Sequence, residues 1–486
     1  MQPRVRKLLA GGFPLAAALL LCGVGQAEEK VWDFTPQASV SQTYSDNITL
    51  APRGEEEHEY ISQLNAGFTL LREGAMARAR LGYNLQGLGY WRDSDRNDVL
   101  HRFTGDGRLT LLPERFFIDA SATYNQRLLS RDGVVGDNLT VGADRSDVLT
   151  MRLSPVFIQR LDDIAVAQLG YTYDRVDYQA SRASQNDSES NRVFARLDSG
   201  PMFSQLGWGL SFERSETDFG DGSSVTFQVA EALGRWPVTD RVSVFGAVGD
   251  ERNDFEQDPS RARPDDTFWR VGATFDGGAR TFAEAFFGER FFGRTYGGSL
   301  RHRLRTAQLS ASYTEALTTV NDFELIRVVL PVFDQTTGSP VLVDGEPIFV
   351  ELELPDLQTG VYLSKRFSAG ISGALAKTDW SLRAFDERRE FEISDRRERV
   401  QGVAGTVSWR MLPRTRLFGT LSFEEQSFSD DSDRDDTLLT SRVGVSRDLG
   451  RNMSASVEYL YRERNSDVER RDHRENRVTA TLRKAF

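Results

Sequence analysis

Residues Ala77 to Gln86 read A-R-A-R-L-G-Y-N-L-Q, and this alternation constrains the chain more than any other feature. Successive side chains of an extended strand point to opposite faces. One wall here carries Ala77, Ala79, Leu81, Tyr83 and Leu85, and the other carries Arg78, Arg80, Asn84 and Gln86. The same two-residue period returns along the chain. Phe117 to Arg127 sets Asp119, Ser121, Thr123, Asn125 and Arg127 against Ile118, Ala120, Ala122 and Tyr124. Ile164 to Asp174 sets Ala165, Ala167, Leu169, Tyr171 and Tyr173 against Gln168, Thr172 and Asp174.

A soluble sandwich also alternates, so the connections decide what each wall meets. Tight turns are expected near Glu73-Gly74-Ala75, Leu112-Pro113-Glu114, Leu161-Asp162-Asp163, Trp236-Pro237, Asp276-Gly277-Gly278, Leu412-Pro413-Arg414 and Asp448-Leu449-Gly450. Between them lie longer acidic stretches: Asp93 to Asp98, Arg131 to Asp147, Ser181 to Asn191, Asp254 to Asp266, Ser429 to Asp436 and Asn465 to Glu475. Short and long connections take turns, as in outer-membrane barrels with tight periplasmic turns and long outer loops. The sequence therefore reads as all-β: a single large transmembrane antiparallel up-and-down β-barrel of about 22 strands, with 18 to 22 the range. Aromatics near strand ends, such as Trp91, Trp236, Trp269 and Tyr459, suit the interfacial girdles of such a barrel.

The first residues fit export. Arg4, Arg6 and Lys7 precede an apolar stretch from Leu8 to Leu21, and Gly25-Gln26-Ala27 supplies small residues for cleavage. Residues 1–27 read as a cleaved signal peptide and 28–486 as the barrel. A retained anchor is disfavoured by the short stretch and Pro14, and a lipoprotein signal at Cys22 by the preceding Leu21. Losing residues 1–27 would take the formal net charge from −12 to −15 and remove the only cysteine. An acidic exported chain argues against a nucleic-acid partner. No later stretch approaches the ~18 apolar residues of a membrane helix, a test that barrels escape. The longest interruption, 321–356, reads as an extended outer loop, with room for its own hairpin, that could reach over the pore.

Candidate functional residues concentrate on the polar walls. In Arg290 to Arg305, R-F-F-G-R-T-Y-G-G-S-L-R-H-R-L-R, the second half sets Leu300, His302 and Leu304 against Arg301, Arg303 and Arg305. Guanidinium groups are costly against lipid and acceptable in a water-filled bore. With Arg78, Arg80, Arg102, Arg108, Arg127, Arg152 and Arg270 they form a candidate luminal track for an anionic, extended polymer or another anion. The competing reading pairs them with inward acids such as Asp106, Asp119, Glu213 and Glu284, so that they fix the wall. Catalysis has little support, and the chain reads as no enzyme. His58, His101, His302 and His473 are the only histidines, with no Gly-x-Ser-x-Gly elbow or zinc-binding pair beside them. The run Ser427 to Asp436 lacks the ordered spacing of a calcium loop and reads as a solvated segment. No cofactor or metal is expected.

The stretch Phe282 to Arg305, with the early segment Ser39 to Asn47 (S-V-S-Q-T-Y-S-D-N), resembles the outer-membrane proteins associated with PEP-CTERM/exosortase loci. The matching motif is Phe292, Gly293, Thr295, Tyr296 and Gly297, with Arg294 in the variable position. The resemblance implies an outer-membrane location and a role in making, exporting or anchoring an exopolysaccharide, and it carries no catalytic residue. Expected partners are outer-membrane lipid and lipopolysaccharide, the exopolysaccharide, and the barrel-assembly machinery, which reads a terminal Phe such as Phe486; Lys484 departs from that pattern. Two alternatives stay open: a closed docking barrel that holds a surface partner, and a general porin. A transporter with a plug before its barrel is disfavoured because strands begin by about Ser39.

Overall fold

The structure is a computed structural model. It describes residues 32–486 apart from 130–135, 143–144, 181–183, 185, 259–263, 320–341, 344–345, 348–359, 395 and 430–433. The first strands are β1 (Trp32–Ser45), β2 (Glu59–Arg72), β3 (Ala77–Tyr90), β4 (Asp98–Leu112), β5 (Phe116–Leu128), β6 (Arg145–Leu161), β7 (Ala165–Tyr178) and β8 (Ser188–Ser199). Next come β9 (Gly207–Phe219), β10 (Ser224–Pro237), β11 (Val242–Asp254), β12 (Asp266–Asp276), β13 (Thr281–Arg290), β14 (Gly293–Arg303) and β15 (Ala307–Thr319). A separate two-stranded ladder, β16 (Leu342–Val343) with β17 (Glu346–Pro347), is a hairpin inside the long outer loop. The rest of loop 321–356 lies outside the described residues, as do residues 1–27, which the sequence reads as a signal peptide. The chain continues through β18 (Val361–Leu375), β19 (Thr378–Phe391), β20 (Arg397–Leu412), β21 (Thr415–Ser429), β22 (Arg434–Gly450), β23 (Met453–Ser466) and β24 (His473–Ala485).

Apart from β16 and β17, the strands form one 22-stranded sheet in which each pairs antiparallel with its sequence neighbours. The sheet closes because β1 pairs with β24, from Gln37↔Ala485 to Ser45↔Arg477. Closure removes the unpaired backbone row that an open edge would expose to lipid. Hydroxyl pairs knit the seam on its inner face: Ser41 with Thr481 at 2.9 Å and Thr43 with Thr479 at 3.0 Å. Here, then, is the expected architecture at the expected strand number.

The alternation that began the argument sets the two faces. Leu64 is 61 % exposed while its chain neighbour Gln63 is 8 % exposed and donates to Thr43. A soluble protein buries the leucine instead. Val40, Val248, Leu382, Leu421, Val457 and Leu482 are likewise exposed on the outer face and form the apolar belt of a barrel in an outer membrane. Near the outer ends of the strands Tyr44 packs on Tyr60 at 4.9 Å, Tyr60 on Trp91 at 6.3 Å, and Trp269 on Phe287 at 5.4 Å. Phe34, Trp236 and Trp409 are exposed near the opposite ends. Of the aromatic doublets, alternation sends one member each way: Trp91 and Trp269 are exposed outside, while Tyr90 and Phe268 are buried on the luminal face.

Crossing a bilayer takes about nine to eleven tilted residues, and most strands here are longer. The surplus lies on the side of the long loops. There the outer face carries ion pairs, Arg175 with Asp177 and Glu189 and Arg252 with Asp250. Both ends of the barrel's strand order, Trp32 and Ala485, sit with the short turns, the periplasmic side in bacterial barrels. Between β22 and β23, Arg451 and Asn452 both take positive φ, 53° and 59°, as a two-residue I′ hairpin requires. The alternation of short and long connections has exceptions. The outer connection of β9 to β10 is short, and β13 to β14 turns through Phe291 and Phe292 alone, with Gly293 at φ 104°. That outer hairpin holds the first residues of the family-like motif.

Candidate functional site

Register places the candidate arginines individually. Gln63 faces inward, and its partner across β2–β3 is Leu88, so the even-numbered residues of β3 face the bore. Arg78 and Arg80 are therefore luminal, and so, through successive pairings, are Arg102 and Arg108 on β4, Arg127 on β5 and Arg152 on β6. Arg270 on β12 and Arg301 and Arg303 on β14 are luminal by the same bookkeeping of parity. Arg305 is not on the wall, because β14 ends at Arg303 and Arg305 lies in the turn before β15. Nor do the residues make one stripe. β3 and β14 are eleven strands apart in a ring of 22, so the two groups face each other across the bore.

Both sequence readings apply, to different members. Arg108 forms a two-pronged bond with Asp119, at 2.6 and 2.9 Å, and lies 4.3 Å over the Phe117 ring. Arg152 holds Asp174 at 2.6 Å and Arg270 holds Glu231 at 2.7 Å. Such forked contacts orient both partners and stiffen the wall. Among the described residues, Arg78, Arg80, Arg102, Arg301 and Arg303 form no ion pair and are exposed to the bore. Of the inward acids proposed as partners, Asp119 and Glu213 are taken, the latter by Arg192 at 3.6 Å. Asp106 and Glu284 are luminal but join no ion pair among the described residues.

Sequence reasoning missed how completely arginine dominates this wall. The described lysines are Lys365 and Lys484 on the outer face and Lys377 in a turn. The signal was available, since five of the 60 basic residues are lysine. Arginine keeps its charge in poorly hydrated surroundings and grips carboxylates with two parallel bonds, which lysine cannot do. Missed too was the packing inside the motif. A side chain at Gly297 would collide with the ring of Phe286, its cross-strand partner on the luminal face. Gly170 with Phe194, Gly249 with Phe268, Gly272 with Phe245, Gly402 with Phe385 and Gly444 with Phe418 repeat the arrangement. Each ring lies flat over a glycine of the adjacent strand, so large apolar side chains line the bore without projecting far into it. Thr295 is buried on the luminal face, and Tyr296 is exposed outside.

The outer mouth carries two inward-folded segments. In the connection from β5 to β6, Leu139 enters an apolar pocket of Ile48, Ile61, Leu88 and Tyr90. Tyr90 donates its hydroxyl to the Leu139 carbonyl at 2.9 Å, and the Val141 amide donates to the Ile48 carbonyl at 3.0 Å. Asp137 binds Arg477, which also holds Glu475 at 2.7 Å. Burial alone would raise the Asp137 carboxyl pKa, but Arg477, then Arg462 and the Leu139 amide, outweigh it and hold the group below the usual carboxylate range. On the other side, Asp258 after β11 donates its amide to the Glu392 carbonyl after β19 at 2.9 Å. Phe255 packs there with Phe219, Val225 and Val361. The strap expected from 321–356 thus has counterparts in two shorter connections.

Other candidates fare as follows. His58 is in the first outer loop and His473 is buried at the luminal start of β24. His101 and His302 face outward, bonded to the Tyr83 and Thr281 hydroxyls, each at 2.8 Å. The histidines are therefore scattered. Among the described residues no group of three or more His, Cys, Asp or Glu could hold a metal. In the acidic run Ser427 to Asp436, residues 430–433 lie outside the described residues, and Asp436 is bound by Arg434 and Arg464.

No family model matches the chain, and no curated protein matches it either. Solved structures of outer-membrane barrels do. The siderophore receptor PirA from Acinetobacter baumannii is similar with TM-score 0.48 and 9 % identity, over 93 % of this chain and 80 % of that one. A mutant of the ferric enterobactin receptor PfeA from Pseudomonas aeruginosa gives 0.47 and 10 %, with the same coverage. OmpT of Vibrio cholerae, lacking one loop, gives 0.33 and 9 % over 94 % of this chain and 100 % of that one. Similarity at this level concerns barrel architecture and says nothing of a ligand.

Proposed function

We propose that this outer-membrane barrel is a pore that helps export an exopolysaccharide or organise it at the cell surface. The observation that carries the reading is the set of exposed luminal guanidinium groups, Arg78, Arg80, Arg301 and Arg303, that are committed to no acid of the wall. An arginine used only to fix strand register would be paired, as Arg108 and Arg152 are. Spread along a wet wall, such groups give many weak contacts, and conduction needs entry without trapping. The motif Phe292, Gly293, Thr295, Tyr296 and Gly297 and its resemblance to exosortase-associated proteins supply the polymer class. The reading involves no catalysis and no cofactor.

The straps of Leu139 and Phe255 support a second reading, a closed barrel that docks a surface partner. Liposome swelling separates the two, since a pore admits small sugars and a closed scaffold does not. For the pore, the reversal potential in a salt gradient should show anion preference, reduced in the Arg301→Ser/Arg303→Ser variant. No preference, and no change on replacement, removes the anion track. Deleting the gene should lower surface polysaccharide, and unchanged polymer would sink the export role.

A further inference from the structure

The pairing state of the luminal arginines divides along the barrel axis. Arg78 and Arg80 lie near the turn end of β3, Arg196 and Arg235 in the turn-side halves of β8 and β10, and Arg301 and Arg303 at the end of β14. Among the described residues none of these forms an ion pair. On the loop side the same residue type is committed: Arg192 to Glu213, Arg290 to Glu251, Arg389 to Glu387, Arg434 to Asp436, Arg464 to Asp436 and Arg477 to Glu475. Two residues depart from this division: Arg102, near the outer end of β4, is unpaired, and Arg108, across from Arg78 on the turn side, is held by Asp119. The luminal carboxylates divide less cleanly: among the described residues Asp106, Asp198 and Glu284 on the turn side join no ion pair, whereas Asp119 is held by Arg108 and Glu458 by Arg442.

Unpaired guanidinium groups interleaved with unpaired carboxylates are a specific chemistry. A guanidinium fork matches a carboxylate with two parallel bonds. An aspartate or glutamate accepts hydrogen bonds from hydroxyls, and the surrounding Ser299 and Ser310 add more donors and acceptors. Together they fit a chain that carries both groups on every few atoms, an acidic sugar polymer. A purely anionic ligand would be repelled by Asp106 and Glu284, and a neutral glycan would leave the arginines idle. We infer that the periplasmic half of the bore is a binding site for a carboxylate-bearing glycan, and that the chain loads from the periplasmic side. The wall beyond it is already self-compensated and holds the chain less. The inference rests on the pore reading for its direction of travel, whereas the binding itself is independent of export.

The test uses the full-length barrel in detergent, titrated calorimetrically with polygalacturonate oligomers or with dextran oligomers of equal length. Polygalacturonate should bind and dextran should bind at least tenfold more weakly. Affinity for polygalacturonate should fall at least tenfold in Arg78→Ser/Arg80→Ser/Arg301→Ser/Arg303→Ser and stay within twofold in Arg252→Ser, on the outer face. Heat-modifiable gel mobility certifies that each variant is folded. Fluorescent polygalacturonate should label permeabilised cells and not intact ones, which fixes the side of loading. Equal binding of dextran, full binding by the fourfold variant, or equal labelling of intact cells would overturn the proposal. Polygalacturonate binding by the barrel, with surface polysaccharide unchanged in the deletion strain, would instead count against the export role alone.

Discussion

Asp137, in the connection from β5 to β6, is ion-paired with Arg477 on β24, 340 residues further along the chain. The contact spans the ends of β1 to β4 and brings one outer loop across the mouth onto the barrel seam.

Arg477→Ala should destabilise the barrel more than Asp137→Ala does. Arg477 is buried and serves Glu475 as well as Asp137, so its loss leaves the buried Glu475 with the Ser45 hydroxyl and Arg462 at 3.8 Å, and breaking a buried pair typically costs about 3–5 kcal/mol. Asp137→Ala leaves Arg477 with Glu475. Urea midpoints in vesicles check the order, and proteolysis of intact cells within 136–142 should accelerate in both variants.

The same contact gives a pH dependence with a definite sign. The Asp137 carboxyl is held below its ordinary pKa in the folded state. Its stabilisation is therefore complete above the unfolded value, near 4, and is lost as the pH falls through the lower folded value. Loop proteolysis by an acid-active protease should rise below about pH 4 in the wild type and show no such rise in Asp137→Asn. Equal acid response in both would refute the latch.

Val248→Arg should cost about 2–4 kcal/mol, because Val248 is exposed on the outer face in the apolar belt. Ser310→Arg, on the luminal face opposite Arg301, should cost far less, since water solvates the new charge. Tryptophan fluorescence during urea unfolding in vesicles reports both. Reversed costs would mean that the faces are assigned the wrong way round.

Gly297→Val should cost roughly 1–3 kcal/mol by displacing the Phe286 ring, in the range of overpacking elsewhere. In Gly297→Val/Phe286→Ala the clash is gone, so the combined cost should be smaller than the sum. Additive costs would separate the two residues energetically.

Removing Phe486 should lower the fraction of heat-modifiable barrel during assembly while leaving the stability of assembled protein nearly unchanged. Its amide donates to the Pro36 carbonyl at 2.9 Å, but its ring is 64 % exposed. Pulse-labelled outer-membrane fractions measure the first quantity and urea midpoints the second.

Strand alternation was legible from residues such as Leu64 and Gln63 because a side chain's face depends only on its parity. Luminal placement of Arg78, Arg152 and Arg301 followed from it directly. Arg305 shows the limit, since parity continues past a strand's end and the sequence does not mark where β14 stops. The two-residue outer turn at Phe291 and Phe292 was likewise hidden by the expectation of a long loop.

Local sequence determined the period, the greasy exterior, the arginine-bearing interior and the short turns, because each depends on neighbours a few positions apart. Only the closed tertiary structure decided which arginines are paired, that β3 faces β14, and that Asp137 meets Arg477. Those relationships depend on register accumulated over many strands and on loops crossing the mouth, and neither is written in any single segment.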